Sequence, residues 1–519
     1  MTAPLAPFAD SANLPENAEA AASALGEGRA ALVWRRVIAD SDTPVGAARR
    51  LMVEGRGDFL LESVEGGEVR GRYSLIGLDP DLVFRASGAE AAINRQWQAD
   101  REAFTPCASD TLTALRALVA SCRIADIPAA LPPALACLVG YFGYETIGLV
   151  EKLPRAAQSP LDLPDMLFVR PTLILVFDSL TDELFVIAPI WQAPDPAGAV
   201  AEAGERIDTC LAALGRPRPA EPRADAGAPL PELNPVVPGE IYKAMALKAK
   251  DYILAGDIFQ VVLAQRFTCE FPLPPLSLYR ALRRVNPSPF LYFLDLPGFA
   301  LVGSSPEILV RVRPDGQGQT DVTIRPIAGT RPRGRTQEED KANEASLLAD
   351  PKELAEHLML LDLGRNDVGR VAEAGSVTVT DSFTIERYSH VMHIVSNVVG
   401  KLASAHDALD ALFAGFPAGT VSGAPKIRAC EVIAELEGET RGAYAGGVGY
   451  FAPDGSVDSC IVLRTAVLKD GVMHVQAGAG IVADSDPDYE LAECKAKAGA
   501  LIAAAREAMR IACEPGFGQ

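Results

Sequence analysis

Between Leu214 and Pro238 the chain passes through Leu214-Gly215-Arg216-Pro217-Arg218-Pro219-Ala220-Glu221-Pro222 and continues in the same style, rich in Pro, Ala and Gly and poor in large apolar side chains. A stretch of that composition reads as a linker, so the chain divides into two halves on either side of it. In the first half, Asp58 to Ser63 and Arg72 to Gly77 read as short strands around a Gly66-Gly67 turn. Met166 to Leu175 and Glu183 to Ile190 repeat the strand pattern, and helices are predicted at Thr111 to Ser121 and Ala199 to Leu214. The second half opens with a helix from Pro238 to Ala255 that Gly256 closes. Strands follow at Ile258 to Phe267, Pro289 to Leu294, Ala300 to Ser304, Val322 to Pro326, Gly446 to Phe451, Ser459 to Leu468 and Val472 to Ala477, with helices at Pro351 to Leu363 and Asp488 to Ile511. Hairpin-like strands with long crossover helices predict an α+β fold of layered antiparallel sheets with helices outside. The expected organisation is an N-terminal extension over 1–29, a first domain over 30–212, the linker over 213–237 and a second domain over 238–512. No repeat of solenoid length is present.

Charge and cysteine usage narrow the function. Against 48 Lys and Arg stand 68 Asp and Glu, a formal charge of −20, which argues against a nucleic-acid partner because such proteins bind by neutralising phosphates. The N-terminus lacks a basic segment followed by an apolar one, and no apolar run approaches about 18 residues, so neither a signal peptide nor a membrane span is expected. Nine cysteines without a C-x-x-C spacing suit reduced thiols and a cytoplasmic location.

Within this acidic chain one tetrapeptide recurs, as Glu353-Leu354-Ala355-Glu356 and as Glu490-Leu491-Ala492-Glu493, both inside predicted helices. Carboxylates at i, i+3 share a helical face and repel each other, so they call for exposure or for a cation. Two facing pairs suit Mg²⁺, a hard ion that keeps several waters and takes further oxygens from a substrate. Between the pairs, Pro326-Ile327-Ala328-Gly329-Thr330-Arg331-Pro332-Arg333-Gly334 reads as a basic turn in which Gly329 allows close approach and Thr330 offers a hydroxyl. Gln476-Ala477-Gly478-Ala479-Gly480 reads as a second turn, with amides free to hold a carboxylate. Thr420, in Gly419-Thr420-Val421-Ser422-Gly423-Ala424-Pro425-Lys426, adds a hydroxyl just before a helix. Tyr444 and Arg464 lie in the following strand region, where Arg464 could grip a carboxylate in bidentate fashion. His393, one of five histidines, is a natural proton carrier near neutral pH.

Taken with Gly256-Asp257-Ile258-Phe259-Gln260-Val261-Val262, Lys352 to Leu360 and Arg365-Asn366-Asp367, these segments resemble the chorismate-utilising enzymes, and within that family the large subunits of anthranilate synthase, from about Ala30 to Ala505. The resemblance implies an α+β chorismate-utilising fold whose first domain is regulatory and whose second binds chorismate. It implies Mg²⁺ on Glu356 and Glu493, with Glu353 and Glu490 acting through water or as alternates, and the amides of Gly478, Ala479 and Gly480 at the same end of the substrate. Arg464 and Tyr444 would hold the enolpyruvyl carboxylate, with Thr420, Gly329 and Thr330 completing the pocket, His393 moving protons and Lys497 balancing the acids. Related isochorismate synthases carry a lysine base where this chain has Gln260, and aminodeoxychorismate synthases commonly carry a nucleophilic lysine where it has Ala328. That leaves ammonia attacking directly at C2, through an aminodeoxyisochorismate intermediate, to give anthranilate and pyruvate. The alternatives are an aminodeoxychorismate synthase component I and a non-catalytic tryptophan-sensing subunit.

The same resemblance implies feedback inhibition by tryptophan. Leu60-Leu61-Glu62-Ser63, with Arg72-Tyr73-Ser74, is similar to the inhibitor-binding element, completed by Asn286-Pro287-Ser288-Pro289-Phe290-Leu291 from the second half, so that Glu62, Ser63, Pro289, Phe290 and Leu291 are the expected contacts. None of the cysteines lies in a Gly-x-Cys-x-Gly nucleophile turn, and the chain ends at Gln519, just past the last predicted helix. A separate glutamine amidotransferase subunit is therefore the expected source of ammonia.

Overall fold

Alternation of side chains along the strands sets the layers. The structure is a computed structural model that describes residues 14–514 apart from 66–68, 157, 225–228 and 389–390. Its strands form two 12-stranded antiparallel sheets and a small two-stranded ribbon. Successive residues of a strand point to opposite faces. Leu167 and Val169 accordingly join a cluster between the sheets that also holds Phe59, Tyr141, Val176, Tyr292 and Val448, whereas Met166 and Phe168 turn outward. Helices Ala18–Gly26, Pro44–Leu51, Pro196–Leu214, Pro275–Val285 and Pro487–Cys513 cover the outside of one sheet. Thr111–Ser121, Pro351–Gly369, Ala408–Ala414 and Lys426–Glu437 pack into the second outer cluster. This is the α+β arrangement expected. With both faces covered, many strands are continuous apolar runs.

The linker does not separate two bodies. In the first sheet the strands of the first half, ending with Tyr73–Leu78 and Asp58–Glu62, lead straight into Phe290–Leu296, Phe299–Ser305, Thr465–Lys469, Val472–Ile481 and Gln260–Glu270 of the second. Glu62 stands opposite Leu291 at the seam. In the second sheet Leu138–Phe142 pairs with Gly447–Phe451, again joining the halves. Within the N-terminal extension, Ala18–Gly26 is a helix that buries Ala21 and Leu25 in the outer core.

Several expectations need correction. Met166 to Leu175 is two strands, Met166–Arg170 and Leu173–Asp178, and Ser459 to Leu468 is likewise divided between Val457–Ile461 and Thr465–Lys469. In each case the chain leaves one sheet and enters the other. A third crossing takes Phe299–Ser305 into Ile308–Pro314 by way of Pro306 and Glu307. Pro326 to Gly334 is not a turn, because Ile327–Pro332 pairs with Val391–Lys401; the ladder is irregular between Ala328 and Thr330, where Gly329 has φ +67°. Gln476 to Gly480 is not a turn either but lies within the strand Val472–Ile481. Small residues let that strand lie close to its neighbours, which the glycine count disguises as a loop. The Gly66-Gly67 turn falls outside the described residues, although the strands flanking it do pair. Among the described residues no helix is long and apolar enough to cross a membrane.

Candidate active site

Both acidic tetrapeptides start in the first turns of helices that begin alike. Asp350 caps Pro351–Gly369, accepting the amides of Lys352 and Glu353, and Asp486 caps Pro487–Cys513, accepting those of Asp488 and Tyr489; each helix has Pro at its first position. Proline there gives up an amide that would have had no partner, and the helix N-terminus favours the acids that follow. The four glutamates then differ in their surroundings. Glu353 is ion-paired with Arg331 at 3.0 Å, and Glu493 with Lys497 at 2.7 Å. Glu490 is buried, and burial raises its pKa while a Ser485 hydrogen bond opposes the rise. Glu356 is partly buried, and its carboxylate has no hydrogen bond or ion pair among the described residues; burial raises its pKa first, and the charges of Glu353 and Glu493 add to that.

The charges of Lys497 and Lys352 oppose that rise without cancelling it, so a cation bound beside Glu356 would be favoured. Among the described residues no three such ligands converge on one point. Two carboxylates nevertheless meet the need of Mg²⁺, which commonly takes one or two from the protein and the rest from water and substrate. Glu356 and Glu493 therefore fit such an ion. Glu353 is held by Arg331 and Glu493 by Lys497, so Glu356 is the one of these three with no ion pair among the described residues.

The opposite wall comes from strand ends. The Lys497 ammonium donates to the Gly478 carbonyl at 2.9 Å, so Gly478 faces away from its ladder partner strand Gln260–Glu270. Because antiparallel pairing alternates, Gly480 faces the same open side while Ala479 faces the ladder. The Gly478 amide on that side hydrogen-bonds to Tyr444, and the Gly480 amide faces the open side with it. A Cβ on Gly478 would stand 2.8 Å from the Tyr444 hydroxyl, and one on Gly480 2.6 Å from the Gln260 amide nitrogen. Gln260 is buried, and its Oε1 has no partner.

His393 sits on Val391–Lys401 opposite Thr330. Its Nδ1 donates to the Gly329 carbonyl at 2.9 Å, with Thr330 Oγ1 3.1 Å from the same nitrogen, which leaves Nε2 as the acceptor. Burial holds its pKa down at about 4, so the ring is neutral at pH 7. Its edge meets Tyr388 with ring centres 5.3 Å apart. Two residues expected in strands lie outside them: Tyr444 is in a turn before Gly447–Phe451, and Arg464 is at the crossing between Val457–Ile461 and Thr465–Lys469 with φ +48°. The Arg464 carbonyl accepts the Ser304 amide, its guanidinium has no hydrogen bond or ion pair among the described residues, and burial lowers its pKa. Thr420 occupies a short 3₁₀ turn, Gly419–Val421, separated from the helix Lys426–Glu437 by the bridge Gly423–Ala424, so the helix terminus is not its immediate neighbour.

The Thr420 hydroxyl donates to Glu307 Oε1 at 3.1 Å. Glu307 escaped the sequence reading. It stands at the third sheet crossing, is buried, and has its pKa raised by that burial to about 8. Its only available signal was an acid directly after the apolar strand and Ser304-Ser305-Pro306. Arg441 also went unread: fully buried, it pairs with Glu437 and donates to the carbonyls of Val421 and Val262, both at 2.7 Å, tying the Thr420 turn to the strand of Gln260. From the first half, the Glu145 carboxylate accepts the amides of Arg441 and Gly442 at 2.7 and 3.0 Å.

The remaining predicted residues meet elsewhere. Glu62, Ser63, Pro289, Phe290 and Leu291 all line a cavity of about 960 Å³ between the halves. Glu62 is held there by the Tyr279 hydroxyl at 2.6 Å and by both arms of Arg283 at 2.9 Å. Tyr388 lines this cavity as well as touching His393.

Residues 58–503 match the family model described as chorismate binding enzyme. The chain belongs to the chorismate-binding enzymes. Within the family it is similar to the protein named anthranilate synthase component 1 of Cereibacter sphaeroides, 54% identical over 493 residues that cover 95% of this chain and 97% of the relative. The protein of the same name from Pseudomonas putida is 46% identical over 472 residues, covering 90% and 93%. Among solved structures, anthranilate synthase component I from Streptococcus pneumoniae superposes with a TM-score of 0.73 at 35% identity, covering 90% of this chain and 99% of that one. The isochorismate synthase MenF from Escherichia coli, at 18% identity and a TM-score of 0.67 over 94% and 100%, shares the fold. In this chain the two glutamate helices approach each other closely enough for the charges of Glu356 and Glu493 to interact, and the crossing from Phe299–Ser305 to Ile308–Pro314 brings Glu307 to Thr420.

Proposed function

We propose that this chorismate-binding chain is the large subunit of an anthranilate synthase, a cytoplasmic lyase that converts chorismate and ammonia to anthranilate, pyruvate and water at the start of tryptophan biosynthesis. One observation carries the choice of nucleophile. Gln260 packs its amide against Gly480, and Ala328 is buried in a strand, so neither position offers the base that would activate water nor the amine that would form an adduct. Ammonia needs neither.

In this reading Arg464, a partly buried cation without a counter-charge, takes the enolpyruvyl carboxylate together with the Tyr444 hydroxyl. The Gly478 and Gly480 amides, with Gly329 and Thr330, border the ring. Glu356 and Glu493 would hold Mg²⁺, which when bound supplies positive charge for the substrate's ring carboxylate. The ammonia lone pair bonds to C2, the ring double bonds shift, and the C4 hydroxyl departs as water with a proton from Glu307, whose carboxyl burial keeps protonated at neutral pH. His393 then accepts the C2 proton on Nε2 as the enolpyruvyl C–O bond breaks and the ring becomes aromatic; the released enol takes up a proton to become pyruvate. The cavity between the halves would bind tryptophan, and Leu291 pairing with Glu62 across the seam lets that ligand act on both halves. A separate glutamine amidotransferase subunit would supply ammonia, in keeping with the name component 1 borne by the relatives.

The test is to incubate the purified chain with chorismate, Mg²⁺ and an ammonium salt and to follow anthranilate fluorescence with and without tryptophan. Anthranilate formation that tryptophan suppresses is the expected result. Formation of the para isomer would instead favour aminodeoxychorismate synthesis, and absence of any turnover would favour a sensing subunit.

A further inference from the structure

Away from both the substrate space and the cavity between the halves, guanidinium groups gather in one cleft. Arg49 comes from the helix Pro44–Leu51, Arg218 from the linker, and Arg280, Arg283 and Arg284 from Pro275–Val285; together they border a cavity of about 240 Å³ floored by the C-terminal helix. Glu221, from the linker, is the one carboxylate that lines it. Two arginines share that carboxylate, Arg49 at 2.7 Å and Arg280 at 2.5 and 3.1 Å. Behind the wall, Glu62 takes Arg283, and Glu507 lies 3.5 Å from Arg284 while also pairing with Arg510. Five guanidiniums therefore answer to three carboxylates, one of which is shared outside the cleft. Among the described residues the Arg218 guanidinium has no hydrogen bond or ion pair.

In a chain of formal charge −20 this local excess of positive charge is against the trend. Like charges this close repel unless an anion lies among them. The side chain of Arg49 is only 9% exposed, and burial lowers its pKa, with Arg280, Arg218 and Arg50 adding to the effect and Glu221 opposing it. Each guanidinium carries five N–H donors. Arg49, which borders the cavity, spends one on Glu221 and one on the Pro219 carbonyl and has further donors to offer. The arginines also approach from three separate chain segments, a disposition that suits the tetrahedral oxygens of a phosphate better than one flat carboxylate.

We propose that this cleft is a binding site for a small phosphate-bearing anion, drawn in by Arg49, Arg218, Arg280 and Arg284. A volume of about 240 Å³ is room for roughly eight waters at ~30 Å³ each, enough for a diphosphate group and too little for a drug-sized ligand. The cleft joins the first half, the linker and the second half, so its occupant bridges all three. This site stands independently of the reaction proposed above.

Calorimetric titration of the full chain with inorganic pyrophosphate, without added metal and at constant ionic strength, tests the site. Saturable binding is expected, weakened at least tenfold in the double variant Arg218→Gln, Arg284→Gln; both residues are exposed, so the variant's thermal midpoint in the absence of ligand should match that of the parent chain. Absence of saturable binding, or binding that the double variant leaves unchanged, overturns the proposal. Flotation with phosphatidic acid vesicles alongside absence of pyrophosphate binding overturns it in favour of a lipid surface.

Discussion

Burial turns Glu307 from an ordinary carboxylate into an acid. With its pKa raised to about 8, the protonated form prevails at neutral pH and is lost as pH rises through that value. At saturating free ammonia, kcat should therefore decline above about pH 8, and Glu307→Gln should lower kcat by roughly 10²- to 10⁴-fold and remove that decline. A pH profile of both proteins checks it. Glu493→Gln should abolish turnover by weakening the metal site, while Glu353→Gln, which removes a carboxylate already committed to Arg331, should be the milder change; initial rates across a Mg²⁺ series distinguish them. The glutamate pairs were legible because the tetrapeptide recurs, and a like-charge pair on a helix asks for a reason. Glu307 was not legible, because it is one of 68 acidic residues and only the fold carries it to Thr420. The unequal burial of Glu356 and Glu490 likewise depends on what packs against each helix.

Elements reveal a second kind of silence. A strand buried on both faces is apolar throughout, so the sheet crossings within Met166 to Asp178 and Val457 to Lys469 leave the hydrophobic run nearly unbroken. Pro171 marked the first, and Arg464, a charge inside an apolar run, marked the second. Read as a carboxylate grip, Arg464 was noticed for its chemistry but not for the break it sits in. Helix positions were legible, because Asp-Pro starts and the Gly256 stop, at φ +84°, are local signals. Among the pieces that hold the elements together, Arg441 is the most exposed to a substitution: removing one partner of its buried pair with Glu437 also frees the carbonyls of Val262 and Val421. Arg441→Met should destabilise the protein by about 3 kcal/mol, read from the midpoint of urea unfolding.

Across the whole molecule the sheets connect the cavity between the halves to the proposed acid. The strand of Glu62 pairs with Phe290–Leu296, that strand with Phe299–Ser305, and the last runs on to Glu307, so a ligand at the seam lies a few strand spacings from the proposed acid. Phe290→Ala should raise the tryptophan concentration for half inhibition about tenfold, because an aromatic wall of the cavity is lost. Inhibition curves at fixed chorismate measure it.

That shared construction has a consequence for how the chain can be cut. A protease acting in the exposed stretch 215–220 would produce two pieces, yet each would carry unpaired sheet edges whose partners lie on the other. The nicked protein should therefore travel through a sizing column as one particle, and the pieces made apart should aggregate until mixed.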